Sequence, residues 1–182
     1  ILLPVIMYLD SRLVFLKNIG YSLFGLLYIS LPLALLIDLR THWNEAEYRL
    51  SLTIPLLVIF SIWINDTMAY IVGSMIGKTP LSKISPKKTL EGTIGGILLT
   101  VASISLIAYL TQRLNVVDAA IMSALAAISG TFGDLFESKL KRMAGVKDSG
   151  HIMPGHGGFL DRFDSVLFAV VAVWFYAMFF YS

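Results

Sequence analysis

Apolar residues fill this chain in runs of roughly 20, the length a helix needs to cross a bilayer, and short polar segments divide them. Residues 19–37 fit one span, with Pro32 expected to kink it. Residues 50–77 form a long apolar stretch that turns amphipathic after Ile64. Residues 92–110 fit another span, opened by Gly92, Gly95 and Gly96. Residues 117–136 are rich in Ala and Ser, which suits close packing between membrane helices. Residues 163–182 fit the last span, with Trp174, Phe175, Tyr176 and Tyr181 towards one end as expected interfacial anchors. Residues 1–9 are apolar but too few, and read as the end of a helix begun upstream. The pattern predicts an all-α, polytopic transmembrane bundle of five spans plus a truncated N-terminal helix. A single membrane domain over 1–182, the C-terminal part of a longer chain, is the expected organisation. The first stretch lacks the basic region and small-residue cleavage site of a signal peptide.

Composition agrees. Of 182 residues, 57% are hydrophobic and 14% charged, against about a quarter charged in soluble domains. With no cysteine, disulfides, thiolate metal sites and cysteine nucleophiles are excluded. A net charge of +2 is too small to argue for nucleic acid. The placement of charge says more. Segments 10–18, 78–91 and 137–162 carry Arg12, Lys17, Lys78, Lys83, Lys87, Lys88, Lys139, Lys141, Arg142, Lys147 and Arg162. Segments 38–49 and 111–118 are slightly acidic and neutral. Five spans place the three basic segments on one side, and the positive-inside bias makes that side cytoplasmic.

The densest chemistry lies between Asp134 and Ser165. Helix spacing from Asp134 puts Glu137, Ser138 and Lys141 on one face. The loop beyond contains Gly145, Gly150, Gly155, Gly157 and Gly158, whose backbone N–H groups can nest an anion. Asp161, Asp164 and Ser165 share a face where the last span begins, and a helix N-terminus favours phosphate. Carboxylates that hold a hard cation, cations and backbone nests together suit a phosphate–metal site. Plainer readings compete. Lys139, Lys141 and Arg142 suit anionic lipid heads, and Asp161 and Asp164 suit a helix N-terminus. Asp134 is harder to set aside, because an aspartate in mid-membrane costs roughly 2.5–3.5 kcal/mol on insertion scales. Glu137 is expected at the boundary, solvating the helix end. His151 and His156 lack zinc-site spacing, so hydrogen bonding or phosphate contact is expected over metal ligation.

A second stretch places Asp66, Tyr70, Gly73, Ser74 and Gly77 on one stripe of an otherwise apolar helix. Packing between helices competes with function for the glycines. Asp66 is expected to be buried, in a functional or paired role. The turn Ser85-Pro86-Lys87-Lys88-Thr89 falls on the same side as the glycine-rich loop, as a second jaw of a phosphate clamp.

These residues resemble the signature of the CDP-diacylglycerol synthases, or phosphatidate cytidylyltransferases. The likeness runs through Ser138, Lys141-Arg142, Lys147-Asp148, Gly150, Pro154, His156-Gly157-Gly158, Asp161-Arg162 and Asp164. Met153 stands where that pattern usually has a branched or aromatic residue. Upstream the likeness continues through Asp66, Ala69-Tyr70, Gly73, Gly77-Lys78, Ser85-Pro86-Lys87-Lys88-Thr89 and Glu91-Gly92. It covers roughly residues 60–170, the expected catalytic region. The resemblance implies cytidylyl transfer from CTP to phosphatidic acid, giving CDP-diacylglycerol and pyrophosphate. It implies Mg²⁺ on Asp134 and Asp161, with Asp66 a third acidic ligand or its neighbour, and a second cation of unknown identity. Lys87, Lys88, Ser138, Lys141, Arg142, Lys147 and Arg162 are expected to meet phosphate, and His156, Gly157 and Gly158 to shape the phosphate loop. The expected partners are CTP, phosphatidic acid, the bilayer and, as an option, a second copy in a homodimer. The expected location is a bacterial inner membrane or its equivalent, with the site facing the cytoplasm. Two other classes fit less well. A CTP-dependent lipid kinase would need a base that is not evident, and an ion-coupled transporter often carries inverted repeats, of which none is seen.

Overall fold

The computed structural model describes residues 15–41, 48–146, 149–150, 158 and 160–181. The first span is built from α1 (Phe15–Gly25), a π turn at Leu26–Ser30 and α2 (Leu31–Thr41). It is followed by α3 (Tyr48–Ile76), α4 (Leu90–Thr111), α5 (Val116–Met143) and α6 (Leu160–Phe179). Among the described residues, five helices are long and apolar enough to cross a membrane, as the hydrophobic runs predict. Just before Pro32, where a kink is expected, the helix widens into the π turn. Proline clashes with the carbonyl four residues earlier, and widening that turn relieves the clash. Helix α1 already includes Lys17, so the segment expected over 10–18 gives way to helix earlier. The N-terminal fragment, residues 1–9, lies outside the described residues.

Helices α3 and α4 pack closely, as do α5 and α6, and α4 joins the two pairs through α5. Glycine makes the first contact possible. A Cβ on Gly92 would fall 2.6 Å from the Ala69 carbonyl oxygen and 2.9 Å from the Gly73 Cα. Thr89, the N-cap of α4, accepts from the Gly92 N–H and fills the space left bare by Gly73, Gly77 and Gly92. The connection between α3 and α4 is therefore short and fixed. Thr79 and Leu81 pair with Leu90 and Lys88 across it, and Glu91 accepts from the Lys78 and Thr79 N–H groups.

The buried apolar residues line the α2, α3, α5 and α6 contacts, among them Leu39, Ile54, Val58, Met122, Val170 and Val173. At the end opposite the basic loops, Trp174 donates to Asp38 at 2.6 Å and Tyr176 to Asp118 at 2.7 Å. Two aromatics expected as interfacial anchors thus tie α6 to α2 and α5. Their partners were out of sight in a one-dimensional pattern.

Candidate active site at the basic end of the bundle

Four sequence segments converge where α3 ends, α4 begins, α5 ends and α6 begins. Helix α5 continues seven residues beyond the apolar run that ended at 136. This extension carries Glu137, Ser138, Lys141 and Arg142 to the level of the first turn of α6, where Lys141 meets Asp161.

Lys141 sits between two carboxylates, 2.5 Å from Glu137 and 2.6 Å from Asp161. Glu137 is fully buried, which corrects its expected place as a solvated boundary residue. The cause lies on α1 and the π turn after it: Tyr28 stacks on Phe24 and meets Phe136 and Phe168 edge-on. That aromatic cluster roofs the helix face bearing Glu137. Burying a carboxylate is tolerable only with a paired charge, and Lys141 supplies it.

Asp161, in the first turn of α6, gathers four donors. Oδ1 takes Lys141, while Oδ2 takes the Gly158 N–H at 2.7 Å, the Ser149 N–H at 2.9 Å and the Ser149 hydroxyl at 2.8 Å. The glycine-rich loop is thus pinned to this carboxylate at both of its described pieces. A Cβ on Gly158 would strike Ser149 and Gly150, so only glycine closes that corner.

Asp134 lies 2.5 Å from Lys88, and its side chain is within hydrogen-bonding reach of Asp164. This joins the two basic jaws inferred from sequence: one from the α3–α4 connection, the other from α5 and α6. None of the described bonds of Asp161 reaches Asp134. The acid beside Asp134 is Asp164, buried on the first turns of α6. Asp66 is exposed on a cavity wall rather than buried as expected, and lies within electrostatic range of Lys88 and Asp134. Among the described residues, no three His, Asp or Glu side chains form a ready cation cage.

The cavity holds about 520 Å³ and is lined by Asp66, Tyr70, Ser74, Lys87, Lys88 and Thr89, with Asn65 and Thr131 deeper in the bundle. The stripe seen in the sequence is therefore shared. Its glycines pack against α4, and its polar members face this space. Arg142 is exposed and donates to the Val146 carbonyl at 3.2 Å, closing the end of α5. Ser138 is half-buried and Arg162 exposed. Lys147, His156 and Gly157 fall outside the described residues. Sequence reasoning assigned nothing to Ser149, Tyr28 or Asn65, and Glu91 entered it only through the family likeness. Only Asn65, a second polar residue beside Asp66 in an apolar helix, left a readable signal.

Residues 1–180 match the sequence model of the cytidylyltransferase family. The chain is 39% identical over 155 residues to the phosphatidate cytidylyltransferase of Synechocystis, covering 81% of this chain and 52% of that one. It is 40% identical over 149 residues to the enzyme of that name from Aquifex aeolicus, covering 81% and 53%. It is 43% identical over 126 residues to phosphatidate cytidylyltransferase 4, chloroplastic, of Arabidopsis thaliana, covering 69% and 32%. The chain spans about half the length of the bacterial relatives. The matched span takes in the helices, the basic loops and the carboxylates just described, and on that ground this chain belongs to the cytidylyltransferase family.

Proposed function

We infer that this chain forms the catalytic part of an integral membrane enzyme that transfers the cytidylyl group of CTP to phosphatidic acid. The products are CDP-diacylglycerol and pyrophosphate. The observation that carries the reading is the convergence of Lys88–Asp134 with Glu137–Lys141–Asp161 at one end of an apolar bundle. The attacking lipid phosphate needs little help from a base, because a phosphate monoester has a second pKa of about 6. Its oxygen forms a bond to the α-phosphorus of CTP as the bond to the pyrophosphate oxygen breaks. Repulsion between anions and charge on the leaving group make up most of the barrier. Fixed cations and dipoles lower it.

In this reading Lys87 and Lys88 meet phosphate from one side, and Lys141, Arg142, Lys147 and Arg162 from the other. His156, Gly157 and Gly158 shape the loop between them. Asp134 and Asp164 lie side by side with a lysine as neighbour, a donor set that suits a hard cation, which needs only one or two protein carboxylates when phosphates complete its shell. Asp134 and Asp161 remain the proposed principal ligands of Mg²⁺, with Asp164 and Asp66 beside them, and Oδ1 of Asp161 keeps a lone pair for that role. Bound there, Mg²⁺ would neutralise triphosphate charge; a second cation of unknown identity belongs to the same proposal. In this reading the end rich in lysine and arginine faces the cytoplasm, which the positive-inside bias supports, so that CTP arrives from water and phosphatidic acid from the bilayer.

The test is product analysis with purified protein in lipid–detergent micelles, given CTP, phosphatidate and Mg²⁺. Release of pyrophosphate with formation of CDP-diacylglycerol is expected. Release of CDP with a phosphorylated lipid would replace this reading with a kinase, and no consumption of CTP would end it.

A further inference from the structure

The cavity beside Lys88 ends in an unusual side chain. Asn65 is 4% exposed, and its carboxamide oxygen has no hydrogen-bond partner among the described residues. Its orientation is fixed by chemistry rather than by chance. The Thr131 hydroxyl gives its one proton to the Ala127 carbonyl at 2.8 Å, so towards Asn65 it can only accept. Asn65 must therefore turn its NH₂ to Thr131, at 3.3 Å, and its oxygen away. Ser61, one helical turn deeper, is also buried without a partner among the described residues, so it does not satisfy that oxygen. Leaving a buried acceptor empty is costly, and such groups in native structures call for an explanation. The Asn65 backbone is held in place as well: a Cβ on Gly96 of α4 would fall 2.9 Å from its carbonyl oxygen.

Three features of the cavity now combine. Lys87 and Lys88 stand where the loop closes it, Tyr70 offers an exposed aromatic face, and Asn65 with Thr131 lines its deeper wall. Thr131, which holds Asn65, precedes Asp134 by about one helical turn on α5, and Asp134 lies 2.5 Å from Lys88. A phosphate at Lys88 and a base at Asn65 can therefore belong to one nucleotide. An aromatic face stacks any base, so stacking does not choose among them. A lone carboxamide acceptor does choose. Cytosine presents an amino group where uracil presents a carbonyl oxygen.

We propose that Asn65 reads the nucleotide base: its carboxamide oxygen accepts a hydrogen bond from the exocyclic amine of cytosine and rejects uracil. Thr131 acts as the positioning residue that keeps the amide from turning over. The assignment rests on the nucleotide reading of the site but goes beyond it, naming the group that selects the base.

Equilibrium binding of CTP and UTP to the purified protein, without lipid substrate, tests it apart from turnover. The wild-type protein is expected to prefer CTP. Asn65→Ala should reduce that preference by about ten- to a hundred-fold, the effect of losing one buried hydrogen bond. Thr131→Val, which frees the amide to rotate, should reduce it too and raise UTP binding. If Asn65→Ala does not fold, Thr131→Val carries the test alone. Equal loss of CTP and UTP binding, with the preference intact, would mean that Asn65 only packs the helices and would overturn the proposal. So would an unchanged preference accompanied by weaker phosphatidate binding in a separate titration, which would give the cavity to the lipid. Base-selective binding without any turnover would refute the reaction and leave the assignment of Asn65 standing.

Discussion

Lys141 holds the site together at the level of single residues. It is the cation shared by Glu137 and Asp161, and Glu137 has no exposed surface. Removing one partner of a buried pair leaves a charge without compensation and costs about 3–5 kcal/mol. Lys141→Ala is therefore expected to lower the thermal midpoint in detergent sharply. Adding Glu137→Gln should recover part of the loss, because the orphaned charge is then gone. A midpoint unchanged by Lys141→Ala would show that these groups are solvated. Much of this constellation was legible in the sequence, since Asp134, Lys141 and Asp161 stand out as charges at the ends of apolar runs. Glu137 was not. Its helix position is that of a boundary residue, and its burial depends on Tyr28, which lies more than a hundred residues away along the chain.

Among the elements, the α3–α4 pair sets the position of the lysine jaw. Thr89 nests against three glycines, and Glu91 holds the N–H groups of Lys78 and Thr79. Lys88 can then reach Asp134 on α5. Gly92→Ala should force α3 and α4 apart, an overpacking effect of about 1–3 kcal/mol, visible as a lower thermal midpoint and a higher KM for CTP. Gly20→Ala meets nothing within 4 Å and should leave the midpoint level or slightly raised, since alanine favours helix. Equal behaviour of the two variants would mean that the close approach of α3 and α4 is not limiting. The spans themselves were readable from hydrophobic run length, whereas the division of the α3 stripe was not. Period alone marks a face, and this face is broad enough to serve both α4 and the cavity.

At the scale of the whole molecule the bundle has two unlike ends. One is closed by neutral hydrogen-bond donors on acids, Trp174 on Asp38 and Tyr176 on Asp118. The other collects lysines and carboxylates from four segments. The alternation of basic and non-basic loops foretold which segments would share an end, but pairing within that end depends on helix rotation, which loop charge does not encode. Asp134 met Lys88 and Asp164, while Asp161 met Lys141 and the glycine-rich loop. The central claim is that these carboxylates and lysines form one metal-dependent phosphate site. Its most direct test is the rate of pyrophosphate release from CTP and phosphatidate across a Mg²⁺ titration, for the wild-type protein and for Asp134→Asn of unchanged thermal midpoint. The account predicts Mg²⁺-dependent turnover in the wild type and a loss of about a hundred-fold or more in the variant. Wild-type rates from Asp134→Asn at limiting Mg²⁺ would contradict it.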